Sequence, residues 1–424
     1  MSNPKKRMLK NMLLLSAGVG SAKIVMLFFI PVLTRIYNPL DFGFLSLISS
    51  AALIAAPFCN LRYPAAFPVL QDDNEAKNLL MFSVCSTLFL GLFASAGLLV
   101  AAKISGKLDE YDLNALPILL LVYLFIVGAS YIEVLSSWGV RNRAFRAVSV
   151  SSFIGALFGE TSKLLIALIA GAKVFGLVVG VLVGYLSALL YLFYKWKEKG
   201  FFEKVRVSNA IRAAKSNSSY PCYRMPAQVL LILSSQAPIV FIGSLYGISD
   251  AGQFSLTMLA LGTPIALVSQ SLSQAFYSEI ARLGSSRSQE IYDLSKDMVM
   301  KLSLLSVFPM IILFNFGPDI FGLIFGSQWK QAGGIASILS VYMGLQLVVN
   351  PLVHIYNVYE EQSRFLKINL TRFLMVCASL LTAYLAGLDM YGAIILYAVG
   401  ISIHYGMFLV FVIVFMKRKI KLYS

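Results

Sequence analysis

Two stretches 209 residues apart decide how this chain is read. Residues 36–47 run Ile36-Tyr37-Asn38-Pro39-Leu40-Asp41-Phe42-Gly43-Phe44-Leu45-Ser46-Leu47. Residues 245–256 run Leu245-Tyr246-Gly247-Ile248-Ser249-Asp250-Ala251-Gly252-Gln253-Phe254-Ser255-Leu256. Tyr, Asp, Gly, Ser and Leu coincide without a gap, and at the same offset Ala66-Phe67 meets Ala275-Phe276. Each stretch is a short polar turn between long apolar runs. Its Asp is placed to cap the next helix and its Gly to relieve the turn. The match is therefore either a recurrent interhelical turn or the trace of an internal repeat.

The surroundings favour a repeat. Of 424 residues, 58% are apolar and only 13% charged, against about 25% charged in soluble domains. No water-soluble core buries that much apolar surface, so lipid is the solvent this composition implies. A soluble enzyme, a nucleic-acid-binding domain and a disordered chain are excluded. Apolar runs predict twelve transmembrane helices, from 11–36 to 391–416. The longest polar segment, 195–219, divides them six and six. The expected architecture is an all-α integral membrane protein. It has an N-terminal six-helix bundle (1–194), a basic cytoplasmic linker (195–219) and a C-terminal six-helix bundle (220–424). An even number of spans separates the two matching turns, so the repeat is parallel, with a pseudo-two-fold axis along the membrane normal. The basic start, Met1 to Lys10, resembles a signal-peptide n-region. The apolar run then continues past Lys23 to Ile36 without a cleavage site, which predicts an uncleaved first span.

The net charge of +15 follows from orientation. With the N-terminus cytoplasmic, segments on that side hold 25 basic residues, and the opposite side holds five: Arg35, Lys103, Lys107, Lys173 and Lys330. Both termini are thus expected to be cytoplasmic. The outer loops are short, the longest at 103–113. Cys59, Cys85, Cys222 and Cys377 fall in or beside apolar runs at no metal spacing and read as packing residues.

A few ionisable groups fall inside the spans, where a charge costs roughly 2.5–3.5 kcal/mol on insertion scales. Lys23, Lys163, Arg224 and Arg372 could line a cationic cavity suited to an anionic headgroup. Arg224, like Arg62, could instead snorkel to lipid phosphates. Glu160 and Lys163 are three residues apart and share a helix face, as a structural pair or as working groups. Glu160, Glu133 and His404 are the candidates for coupling to a proton or sodium gradient; a buried neutral histidine is the plainer reading of His404. No catalytic or metal-binding motif and no Walker motif occurs, so neither catalysis nor a cofactor is expected, and energy would come from a gradient.

Several stretches carry a family resemblance. Leu33-Thr34-Arg35-Ile36-Tyr37-Asn38-Pro39-Leu40-Asp41-Phe42-Gly43 is similar to the first outer turn of polysaccharide flippases. Tyr220-Pro221-Cys222-Tyr223-Arg224-Met225-Pro226, Phe241-Ile242-Gly243-Ser244-Leu245-Tyr246-Gly247 and Phe325-Gly326-Ser327-Gln328-Trp329-Lys330-Gln331-Ala332-Gly333 extend the likeness over most of the chain. It resembles the O-antigen (Wzx-type) group of the superfamily that also holds multidrug and toxic-compound extrusion transporters. The resemblance implies a flippase of the bacterial plasma membrane. Such a protein moves an undecaprenyl-pyrophosphate-linked oligosaccharide outward by alternating access, for O-antigen, capsule or exopolysaccharide synthesis. Its partners would be that lipid-linked substrate, the bilayer and other polysaccharide-assembly membrane proteins, with no nucleic acid. Within the implied cationic lumen, Lys23 and Arg224 fit best. The alternatives are a multidrug or small-metabolite exporter of the same superfamily, or a membrane polysaccharide polymerase. The short outer loops weigh against the polymerase. The excess of intramembrane cations over acids weighs against an exporter of cations.

Overall fold

A chain in hydrocarbon must satisfy every backbone N–H and C=O within its own segment, and only helices or closed barrels do so. The computed structural model is helical accordingly. It describes residues 4–104, 106, 114–197, 206–359 and 361–423, and among these there is no strand. The helices are α1 (Pro4–Ile36), α2 (Pro39–Cys59), α3 (Asp73–Ile104), α4 (Ala115–Arg141), α5 (Phe145–Ala170), α6 (Val174–Lys197) and α7 (Val207–Ser216). They continue with α8 (Met225–Leu245), α9 (Ile248–Leu283), α10 (Ser288–Phe325), α11 (Lys330–Val349), α12 (His354–Val358), α13 (Gln362–Leu385) and α14 (Met390–Tyr423). The twelve expected spans fall on α1–α6, α8–α11, α13 and α14. Among the described residues, 11 helical segments are long and apolar enough to cross a membrane. Most of the outer loop at 103–113 and residues 198–205 of the expected linker lie outside the described residues.

The chain divides into two compact units. One comprises Met1–Tyr37 and Phe44–Ile232, the other Asn38–Gly43 and Leu233–Ser424. The division falls inside α8, not in the polar segment 195–219 expected to separate the halves. The reason is α7, which was not anticipated. Its short side chains at Ala213 and Ala214 are buried in a cluster with Tyr63, Phe67, Leu79 and Trp138, and Ala210 is buried on the same face. The Tyr63 hydroxyl donates to Ala214 O at 3.0 Å, and Ser216 Oγ and Asn217 Nδ2 each donate to Glu75 Oε1 at 2.7 Å. The polar segment thus folds back onto the first unit.

Within that unit α5 and α6 pack backbone to backbone. Gly155 and Gly159 on α5 face Gly180 and Gly184 on α6, each pair spaced by four. A Cβ on Gly184 would come within 2.8 Å of Gly155 O, and one on Gly159 within 3.2 Å of Gly180 O. Small residues at this spacing let membrane helices approach closely where the hydrophobic effect cannot drive association. A second layer sets Ile48, Ala52 and Cys59 of α2 against Phe125 and Ile126 of α4. All four cysteines are free thiols.

The matching turns meet in the second unit. In the first turn, Asn38 N–H donates to Asp41 Oδ2 at 3.2 Å and Asp41 N–H to Asn38 Oδ1 at 2.9 Å, a reciprocal cap of α2. In the second, Asp250 Oδ1 accepts from Gln331 Nε2 at 3.0 Å. A Cβ on Gly43 would overlap the Ile248 carbonyl oxygen, and one on Gly252 the Pro39 carbonyl oxygen. The 209-residue offset turns Pro39 into Ile248 and Gly43 into Gly252. The contact is therefore its own symmetry mate, as a local two-fold axis between the first turns of α2 and α9 requires. Phe42 meets Trp329 edge-on at 5.1 Å, and Gln253 bridges Gln328 O and Ala332 N–H at 2.8 and 2.9 Å, bracing the start of α11.

Candidate functional site

The ionisable groups inside the spans fall into three settings. The first is a closed pair. Lys163 Nζ donates to Glu160 Oε1 at 2.6 Å, with side chains only 10% and 7% exposed. Room for the lysine stem exists because Gly180 has no side chain there; a Cβ would overlap Lys163 Cγ. The Tyr37 hydroxyl donates to Lys163 O at 2.8 Å, pinning the same turn. Spacing on one helix face anticipated this pair, but the glycine that seats it lies on another helix. Lys163 is thus neutralised in place.

The second setting is the end of α2. The helix stops at two consecutive left-handed residues, Leu61 (φ 51°) and Arg62 (φ 58°). Asn60 supports the break. Its Oδ1 accepts from Arg62 N–H at 2.9 Å, and its Nδ2 donates to Glu133 Oε2 at 2.8 Å. The Arg62 guanidinium pairs with Glu133. Burial first, then the nearby Arg224 charge, lowers the Arg62 pKa. Arg224 itself is exposed, its guanidinium 5.8 Å from the centre of the Tyr220 ring. Arg62 thus has a carboxylate partner, while the nearby Arg224 pairs with none among the described residues. Sequence reading singled out Glu133 and Arg224 separately. It missed Asn60 and the pairing with Arg62, because Asn60 lies 73 positions from Glu133 along the chain and Arg62 follows the break at the end of α2.

The third setting is a cation without a carboxylate. Among the described residues, half-buried Lys23 on α1 makes no ion pair or hydrogen bond. Arg372 on α13 is partly buried and its Nε is wholly buried without a hydrogen-bond partner. His404 is 4% exposed, its ring 5.5 Å from that of Tyr405. Among the four proposed cavity cations, the structure therefore distinguishes Lys163, which has a carboxylate, from Lys23, Arg224 and Arg372. No group of three or more His, Cys, Asp or Glu side chains able to hold a metal occurs among the described residues.

Comparison with known proteins fits this picture. The sequence pattern of a family described as polysaccharide biosynthesis protein matches residues 32–334. The succinoglycan biosynthesis transport protein ExoT of Rhizobium meliloti is 24% identical over 323 residues, 74% of this chain and 62% of that protein. The chain thus spans less than two thirds of that relative. Among solved structures, an inward closed lipid II flippase MurJ aligns with a TM-score of 0.69 at 12% identity, over 94% of this chain and 87% of the other. An inward-facing multidrug resistance MATE family transporter of the MOP superfamily aligns with a TM-score of 0.62 at 13% identity, over 97% and 96%.

Helices and composition define a multi-pass membrane protein, of the inner membrane where the host is a bacterium, and its fold is shared with these solved structures. The chain belongs to the polysaccharide biosynthesis protein family.

Proposed function

We propose that the protein is a flippase that carries an undecaprenyl-pyrophosphate-linked oligosaccharide repeat unit from the cytoplasmic to the outer leaflet by alternating access. The product would feed surface polysaccharide synthesis. The observation that carries this reading is the pair Lys23 and Arg224, cations on membrane helices with no carboxylate of their own among the described residues. An ionised headgroup leaving water needs such partners, since charge-assisted hydrogen bonds replace its lost hydration. A family of transporters and flippases supports transport without catalysis. The positive-inside count supports cytoplasmic termini, and the bilayer and other polysaccharide-assembly proteins are the expected partners.

We infer that a proton or sodium gradient drives the cycle. Glu160, Glu133 and His404 stay the coupling candidates. Glu160 and Glu133 would have to release Lys163 and Arg62 to take up an ion.

Lys23→Ala and Arg224→Ala should each lower delivery of surface polysaccharide about tenfold, as loss of about 1.4 kcal/mol of headgroup binding would. Membrane abundance should not change. Undiminished export by both variants overturns the reading. Export of a small cationic drug instead of lipid-linked sugar would establish the exporter alternative.

A further inference from the structure

The second unit carries a groove that the intramembrane charges do not explain. It lies between α9 and α10, which each pack on α11 and hardly on each other. Its volume is about 320 Å³, near the lower end of the range of ligand pockets, about 300–1,000 Å³. Ser340 and Met343 of α11 are buried and belong to the floor. Pro264 and Val268 of α9, with Leu305 and Pro309 of α10, are exposed along the rim. Each rim helix thus carries a proline, which removes a backbone hydrogen bond and favours a kink at the level of the groove.

The groove offers nothing polar. Among the described residues no charged or aromatic side chain lines it. Two serines do, and both hydroxyls are committed to their own helices. Ser306 Oγ donates to Ser303 O at 3.0 Å and Ser340 Oγ to Ser337 O at 2.7 Å. Pockets for drug-sized molecules carry a few placed polar groups that fix orientation; walls without them suit bare hydrocarbon. Depth narrows the choice. The lining residues, within 260–268, 305–313 and 340–347, occupy the middle of the membrane-length segments Ile248–Leu283, Ser288–Phe325 and Ser327–Val358. The hydrocarbon core is about 30 Å thick, so mid-span lies about 15 Å from either headgroup layer. The acyl chains of bilayer lipids end at that depth. A chain longer than one leaflet must continue along or across the midplane.

We propose that this groove binds the middle of the polyprenyl chain of a lipid-linked substrate. Apolar walls from three helices replace the dispersion contacts that the chain gives up in lipid. Gly344 keeps the floor open. A Cβ there would meet Met310 Sδ at 3.6 Å and Ser306 Cβ at 3.7 Å, which is ordinary contact. Both neighbours line the groove, so a longer side chain at 344 would extend into it. The proposal rests on the flippase reading and adds to it a site for the chain, separate from the cations assigned to the headgroup.

The test is photolabelling of the full-length protein in phosphatidylglycerol vesicles, with undecaprenyl phosphate that carries a diazirine in mid-chain. Light should attach the probe within 260–268, 305–313 or 340–347, and the labelling should saturate. Unlabelled undecaprenyl phosphate should compete. Farnesyl phosphate, with the same headgroup and a short chain, should compete about tenfold less well or worse, since one methylene in an apolar pocket is already worth about that much. Gly344→Leu should weaken labelling about tenfold for the same reason. Leu304→Ala, on the exposed flank of α10 outside the groove, should leave it unchanged. Labelling that falls elsewhere, never saturates or survives intact in Gly344→Leu overturns the proposal. If Gly344→Leu does not fold, undiminished labelling of Ala260→Leu, which fills the groove from α9, overturns it equally. Competition by dioleoyl phosphatidic acid as strong as by undecaprenyl phosphate would give the groove to ordinary acyl chains and overturn the polyprenyl assignment. Failure of the flippase reading would show elsewhere, in unimpaired export by the Lys23 and Arg224 variants.

Discussion

Gly252→Ala is expected to destabilise the protein by about 3 kcal/mol or more, the upper range of overpacking, while Gly262→Ala on the same helix is expected to be harmless. The added methyl at 252 would overlap the Pro39 carbonyl oxygen, and a backbone atom has no rotamer by which to move aside. At 262 nothing lies within 4 Å of the added carbon. There the alanine only gains helix propensity, up to about 1 kcal/mol. Both glycines lie on α9, so insertion and lipid exposure of that helix are common to the two variants. Gly43→Ala should repeat the Gly252 result, because the same contact is made from the other repeat against Ile248 O. Unfolding midpoints in detergent and abundance in the membrane measure this. Equal tolerance of alanine at 252 and 262 would show that the two turns do not meet as described.

Glu160→Gln is the second large effect. It leaves Lys163 buried without its counter-ion, and breaking one side of a buried pair costs about 3–5 kcal/mol. The ion pair itself is not a source of net stability, since desolvation of both charges offsets their attraction. The double variant Glu160→Gln/Lys163→Met should therefore recover most of the loss. The double variant also separates structure from coupling. If it folds and still exports polysaccharide in a gradient-dependent way, Glu160 carries no coupling ion. If it folds and export no longer responds to collapse of the proton or sodium gradient, Glu160 is the coupling group. A double variant no more stable than Glu160→Gln alone would contradict the pairing.

The Arg62–Glu133 pair invites a different expectation. Its members are partly exposed, at 23% and 29%, so solvent screens it far more than the α5 pair. What matters there is placement. Two left-handed residues and Asn60 hold Arg62 on Glu133, which leaves the neighbouring Arg224 charge uncompensated. The phosphate contact proposed for Arg224 draws on that local imbalance.

Spans, turns and repeat were legible from residues alone for one physical reason. Hydropathy over about 20 residues is a property of a single segment, and a lipid solvent leaves that segment only one conformation. The Asp and Gly of the two matching turns are local devices as well. Glu160 and Lys163 could be paired on paper because helical spacing places them on one face. The contacts that seat these groups could not be read this way. Gly180 opposite Lys163, and Asn60 and Arg62 on Glu133, are each drawn from a different segment of the chain. The 155/159 and 180/184 glycine spacing was visible in the sequence, yet nothing in either helix announced that the two would face each other.

Residues 195–219 show the same division most plainly. Their charge marked them as a polar, cytoplasmic-type segment, and so they looked like a boundary. Two small alanines of α7, Ala213 and Ala214, instead bury in a cluster with Tyr63, Phe67 and Trp138 and bind the segment to the first unit. Composition reveals which solvent a segment prefers. Which partner it finds depends on the shapes and donors that other segments present. In this protein the amino-acid sequence therefore established lipid as the solvent, the helices and their duplicated turn. Tertiary packing alone sorted the intramembrane charges into those with a carboxylate partner and those without one among the described residues.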